Sequence, residues 1–280
     1  MKVVLFCGGL GMRLREFSDS IPKPMVTVGY RPIMWHVMKY YAHFGHKDFI
    51  LCLGWKADYI KQYFLNYDEC VSNDFVLSSG GNAIRLLNSD IQDWNITFVD
   101  TGVSSSIGQR LKLIEPLLEG EQTFLANYTD GLSDLPLPTM IDSHRRSEAV
   151  ASFVSVRPSH TFHMVASEPD GRVRQLVSAI DADVWINGGF FVLERDVFSW
   201  MQEGEELVEA PFRRLAAAGK LSTLKYDGFW GCMDTYKEKQ LMDDRVTKGD
   251  APWEVWKKTP RMEFPTLPDM ISSPTVAQHH

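Results

Sequence analysis

Cysteine is scarce: Cys7, Cys52, Cys70 and Cys232 are the only four in 280 residues. They form no CxxC pair and have no histidines at zinc-ligand spacing, so a zinc finger is excluded. Cys7 and Cys52 lie in apolar, strand-like runs and read as small buried hydrophobes. No apolar run approaches membrane-spanning length, and no signal-peptide pattern precedes the first strand, so the expected location is cytoplasmic, without a membrane partner. Excess positive charge is also missing. A net charge of -7 gives no general attraction to nucleic acid or an anionic surface. Any anion must be held by a local cluster of cations, which favours a small charged ligand over a polymer. Internal repeats, low-complexity tracts and long linkers are absent as well.

What is present suits a soluble globular core, with 44% hydrophobic and 23% charged residues. KVVLF at 2–6, DFILCL at 48–53, NITFVD at 95–100, QTFLANYTDG at 122–131 and VASFVSV at 150–156 are short, β-rich and unbroken, as strands buried on both faces are. Helical spacing appears between them at 31–45, 56–66, 108–118 and 137–147, with Pro32 near one helix start and Gly45 just past its end. The alternation predicts an α/β fold: a mostly parallel open sheet with helices on both faces. After residue 160, HMVASEPDGRVRQLV reads as two strands about a Pro-Asp-Gly turn, and WINGGFFVL at 185–193 as another strand. Helices are expected near 209–219 and 235–247. The expectation is therefore a small antiparallel addition in the second half. The tail at 259–280 has four prolines and little periodicity.

A glycine-rich turn after the first strand, FCGGLGMRL, puts backbone N–H groups where a phosphate sits. It does not complete either of two well-known loops. A dinucleotide fingerprint needs a third glycine where Leu14 stands and an acid ending the second strand, which runs instead into Gly54. A Walker loop needs Gly-Lys-Ser/Thr, and Met12-Arg13-Leu14 does not supply it. Ten residues further on, prolines bracket Lys23, and pre-proline bias predicts a stiff, extended Ile-Pro-Lys-Pro segment. Arg13 offers a planar fork of donors to phosphate oxygens, and Lys23 a point charge at a defined place.

GGLGMRL followed by PKPMV resembles the opening of the sugar-1-phosphate nucleotidylyltransferases. Further motifs in that family's order are RPIMWHVMKYYAHFG, DTG at 100–102, GQRLK at 108–112, TDGLSD at 129–134, WINGG at 185–189, GFWGCMDT at 228–235 and APWEVW at 251–256. Within the family the chain looks most like the glucose-1-phosphate cytidylyltransferases. The resemblance covers residues 1 to 258 and implies one nucleotidyltransferase domain, Rossmann-like. Its nucleotide-binding part lies at about 1–135 and its acceptor-binding part at about 136–258.

The resemblance implies attack by a sugar 1-phosphate on the α-phosphorus of a nucleoside triphosphate, CTP by the nearest relatives, with pyrophosphate leaving. Another nucleotide (dTTP, GTP or UTP), a non-glucose acceptor, or a non-catalytic nucleotide-sugar-binding relative are the alternatives. By the same resemblance Arg13 and Lys23 are catalytic. Gly8, Gly9, Gly11, Gly108 and Arg110 join them and Asp130 around the nucleotide. Asp130 and Asp234 hold Mg²⁺, a hard ion suited to one or two carboxylates. Asn187 and Gly188 face the acceptor, while Trp185, Phe190, Phe191 and Trp230 read as core. A homo-oligomer is also implied.

Four departures from the family pattern are visible. Gly-Thr-Arg-Leu has become Gly11-Met12-Arg13-Leu14, and Tyr-Gly-Asp-Gly has become Tyr128-Thr129-Asp130-Gly131. A sugar-facing glycine is replaced in Phe162-His163, and Ser178 falls near the lysine of a missing Glu-Lys-Pro. Loss of that cation predicts a rebuilt acceptor pocket: either another cation, such as His163 or Arg174, substitutes, or the acceptor differs from glucose 1-phosphate.

Overall fold

The fold is described from a computed structural model, for residues 1–9, 21–87, 90–158, 163–179 and 182–257. Gly11, Met12, Arg13, Leu14, Phe162 and the tail at 259–280 lie outside the described residues.

Eight strands make the main sheet: β1 (Val3–Phe6), β2 (Asp48–Leu53), β3 (Asn95–Asp100), β4 (Thr123–Tyr128), β5 (Ala151–Val156), β6 (Ile186–Asn187), β7 (Phe191–Glu194) and β8 (Leu221–Tyr226). Their order is β6-β5-β7-β4-β1-β2-β3, and β8 joins on β5. β3, β2, β1 and β4 run parallel, whereas β7 is antiparallel to both β4 and β5. The chain walks outward from β1 to β2 and β3, then returns to place β4 on the other side of β1. Where strand order reverses in this way, the loops at the carboxyl ends part and leave a crevice. Here it lies beyond Phe6 and Tyr128.

Side-chain alternation assigns the two faces. Val3 and Leu5 pack with α1 (Ile33–His43) and α4 (Leu137–Ser147); Val4 and Phe6 pack with α3 (Ile107–Leu113) and α5 (Ala210–Ala217). A further helix, α2 (Ala57–Leu65), follows β2, and α6 (Tyr236–Thr247) follows the last short strand. Burial on both faces explains why β1 and residues 49–53 of β2 are apolar without alternation.

Three expectations needed correction. WINGGFFVL is two strands, β6 and β7. The break falls at Gly189 (φ +77°) and Phe190 (φ +51°), where the buried side-chain oxygen of Asn127 accepts the Phe190 N–H at 2.9 Å in place of a ladder bond. Ile-Pro-Lys-Pro is not extended throughout. Lys23–Met25 closes into a 3-10 turn through Met25 N–H to the Pro22 carbonyl (2.8 Å) and Val26 N–H to the Lys23 carbonyl (3.1 Å), two bonds that outweigh the pre-proline bias. Trp185 and Trp230 are half-buried rather than core: Trp185 lies between the cations of Arg157 and Lys225, and Trp230 donates to the Gly188 carbonyl at 2.9 Å. Phe190 and Phe191 are buried as expected. A hairpin at Phe75–Ser78 and Ala83–Leu86 had no sequence prediction.

Candidate active site

β4 delivers Asp130 to the crevice. Buried Thr129 ties the strand end to β1 by donating its hydroxyl to the Phe6 carbonyl at 3.2 Å. The short strand Gly131–Ser133 then pairs antiparallel with Trp230–Cys232, setting Gly131 opposite Cys232, and Met233 N–H donates to the Asp130 carbonyl at 2.8 Å. That pairing brings Asp234 beside Asp130. Asp234 is fixed again from its other side. Thr235 caps α6, and the Glu238 carboxylate accepts N–H bonds from Asp234 (2.7 Å) and Thr235 (2.8 Å) in a capping box.

The Lys23 ammonium bridges the two carboxylates, donating to Asp130 Oδ2 and Asp234 Oδ1 at 2.6 Å each. Its side chain is 16% exposed. Burial opposes the lysine's charge, but the two carboxylates outweigh it and its pKa rises above the ordinary lysine value. Cys232 completes a cluster in which the ligand atoms of Asp130, Cys232 and Asp234 all lie within 4.8 Å of one another. Sequence reasoning missed Cys232. Burial, reinforced by Asp130, pushes its thiol up, so it stands there as a neutral, soft group.

Two carboxylate oxygens converging on one ammonium form a site already shaped for a cation. Their hard oxygen chemistry suits a divalent ion such as magnesium, and the neutral thiol does not. Asp130 and Asp234 therefore fit the metal role inferred from the resemblance.

Gly8 and Gly9 follow β1 at a cleft of about 150 Å³, which is also lined by Lys23, Pro24, Tyr128, Thr129 and Asp130. Arg110 sits beneath this loop, 1% exposed, and is no helix-surface charge. It donates to the Leu53 carbonyl (3.0 Å), Thr101 Oγ1 (2.7 Å) and the Val103 carbonyl (3.3 Å). A Cβ on Gly8 would fall 2.1 Å from the guanidinium, so glycine is required for the loop to lie over it. Among the described residues no carboxylate comes within ion-pair distance of Arg110, and burial lowers its pKa. The result is a buried positive charge under the loop.

On the other side of Asp130, a cleft of about 310 Å³ is lined by Tyr128, Asp130, Asn187, Gly188, Trp230 and Asp234, among others. Tyr128 and Asp130 belong to both clefts, so the carboxylate pair lies at their junction. Burial first, then Glu206 and Asp130, hold the Tyr128 hydroxyl up at about 12 against a hydrogen bond with Asn187. Tyr128 and Asn127 were not among the predicted site residues, although both lie within three residues of Asp130.

The remaining predicted residues sit apart from this junction. Gly108 is buried against the Glu205 carbonyl, which an added Cβ would approach to 2.2 Å, so packing alone accounts for it. His163 and Ser178 are brought together, as directly opposed residues of the hairpin His163–Ser167/Val173–Ser178, but neither lines the clefts described. Arg174 is exposed on that hairpin and paired with Glu168.

Residues 2–230 match the family model described as nucleotidyl transferase. The chain belongs to that family. It is 38% identical over 266 residues to the glucose-1-phosphate cytidylyltransferase of Salmonella typhi, covering 92% of this chain and 100% of the relative. A mannose-1-phosphate guanyltransferase of Yarrowia lipolytica is 26% identical over 99% of this chain and 71% of its own length. A solved structure of UDP-glucose pyrophosphorylase with UDP-glucose superposes with a TM-score of 0.64 at 14% identity, covering 89% of this chain and 98% of that one. That likeness bears on the fold alone.

Proposed function

We propose that the chain is a magnesium-dependent nucleotidylyltransferase that transfers the cytidylyl group of CTP to glucose 1-phosphate and releases pyrophosphate. The observation that carries this is a cation held between Asp130 and Asp234 where two clefts meet, one under a glycine loop and one lined by Asn187. An oxygen of the sugar phosphate forms a bond to the α-phosphorus as the bond to pyrophosphate breaks. Bringing two anions together makes catalysis chiefly positioning and charge neutralisation.

Gly8 and Gly9 would receive the triphosphate with Arg110 as a fixed charge below, and Arg13 would join them. Lys23 would face the reacting phosphate, and Asn187 and Gly188 would receive the sugar. Magnesium on Asp130 and Asp234 would neutralise phosphate charge. A cytoplasmic homo-oligomer remains part of this proposal. Among the described residues no helix is long and apolar enough to cross a membrane, and light scattering tests the assembly.

CTP and glucose 1-phosphate are preferred because the Salmonella typhi relative, at 38% identity over its whole length, is named for that pair. The guanyltransferase relative keeps the same chemistry with another base and sugar as the second reading. The test is pyrophosphate release with Mg²⁺, each of CTP, GTP, UTP and dTTP, and a panel of sugar 1-phosphates. The fastest release is expected from CTP with glucose 1-phosphate, by at least tenfold. A faster different pair would reassign donor or acceptor. Silence from folded protein across the panel would overturn catalysis.

A further inference from the structure

Lys23 occupies the place that a metal ion would take. Its ammonium makes one 2.6 Å bond to each of Asp130 Oδ2 and Asp234 Oδ1. An ammonium and a divalent ion cannot both lie in the gap between the same two oxygens. From this geometry we infer that Lys23 is a placeholder cation: metal binding to the carboxylate pair displaces it, and the freed ammonium turns to the phosphates of the nucleotide. The inference rests on the assignment of Asp130 and Asp234 as metal ligands in the function proposed above.

Charge and placement both support the exchange. Two carboxylates with one ammonium leave a charge of -1, a modest burden for partly buried groups; without Lys23 the pair would hold -2. A divalent ion in place of Lys23 brings the pair to zero and releases a positive charge. Lys23 also lines the cleft under Gly8 and Gly9, so the released ammonium has only to leave the carboxylates to face that cleft. Its backbone stays in place, because Lys23 opens a 3-10 turn anchored by the Pro22 and Lys23 carbonyls. Only the side chain has to swing. Metal alone must compete with a bound cation, whereas metal arriving with a triphosphate offers Lys23 new partners, so metal and nucleotide bind with positive coupling.

The test is Mn²⁺ binding to the full chain without nucleotide, followed by the loss of the free-ion EPR signal. Lys23→Met should bind Mn²⁺ about ten- to a hundredfold more tightly than the wild type, the worth of about one charge-assisted hydrogen bond no longer broken. Lys23→Arg, which keeps a cation in the gap, should remain as weak as the wild type. Asp234→Asn in the Lys23→Met background should abolish the gain, which assigns it to this pair. Unchanged or weaker binding by Lys23→Met would overturn the inference. Should that variant fail to fold, Lys23→Gln carries the same comparison. In the wild type, CTP should tighten Mn²⁺ binding by at least tenfold beyond binding to CTP alone, and equal affinity would count against the coupling. None of these readouts uses turnover. A wild type that turns over while Lys23→Met gains no Mn²⁺ affinity leaves the proposed function intact and removes the placeholder.

Discussion

Two regions that the sequence assigned to the site, one at the junction of the clefts and one apart from it, are built differently. Lys23, Asp130, Asp234 and Arg110 are each held by elements packed into the sheet: a 3-10 turn, the end of β4, a capping box, and three donated hydrogen bonds under the glycine loop. His163 and Ser178 face one another on a two-stranded hairpin whose first strand is exposed at every position. The hairpin adds no strand to the main sheet, so its backbone lacks the ladder bonds that tie down β1 and β4. The lesson is one of preorganisation. The backbone that carries these charges is anchored against the packed sheet, whereas the departures at His163 and Ser178 fall on the hairpin.

The comparison is sharpened most by the carboxylates. Asp130→Asn should cut turnover by on the order of 10²–10³ with the fold intact, the scale for removing one preorganised electrostatic group. A variant within threefold of wild type would break the assignment. Arg110→Met should cost roughly 2–4 kcal/mol of stability, because the buried Leu53 carbonyl, the Thr101 hydroxyl and the Val103 carbonyl each lose a donor; urea unfolding at neutral pH measures it.

The anchored half should also be sensitive to acid. Buried His36 on α1 donates from Nε2 to the Val28 carbonyl at 3.1 Å, just after the Lys23 turn. Burial, helped by Arg31 and Lys257, lowers its pKa to about 4. The unfolded chain keeps a value near 6.5, so it takes up the proton first as pH falls. This contribution is full above pH 6.5 and is lost on the way to pH 4, roughly 3 kcal/mol in all. Urea midpoints at pH 7 and 4.5 should diverge in the wild type and less so in His36→Gln. The smallest effect belongs to the hairpin. His163→Ala and Ser178→Ala should each change KM for glucose 1-phosphate by less than about tenfold, that is under about 1.4 kcal/mol, with kcat unchanged. A loss in kcat as large as that of Asp130→Asn would place the hairpin in the catalytic machinery and dissolve the contrast.

Much of this was legible from sequence. Buried parallel strands announce themselves as unbroken apolar runs, and β1, β2 and β4 stood out for that reason; β3 was read as buried in the same way but is an edge strand with no buried residue. The hairpin at His163–Ser167 and Val173–Ser178 was marked by its Asp-Gly turn. The broken strand at Gly188–Phe190 was not, because the break depends on the Asn127 side chain, which is distant in sequence. Nor was Cys232 at the cation site, which needs the pairing of Gly131 with Cys232 to arrive there. The hairpin at Phe75–Ser78 lacks alternation strong enough to separate it from loop, with Leu77 and Ile84 both exposed. Lys23, Asp130 and Asp234 were identified as site residues, but their direct bridging is a matter of tertiary placement alone.

The most direct test of the whole account is pyrophosphate release from CTP and glucose 1-phosphate by wild type and Asp234→Asn, each with Mg²⁺ and again with the metal chelated. Release is expected from the wild type with Mg²⁺ only, with Asp234→Asn folded and slower by on the order of 10²–10³. Equal release from Asp234→Asn, or release that persists without metal, would contradict a metal-carboxylate site at the junction of the two clefts.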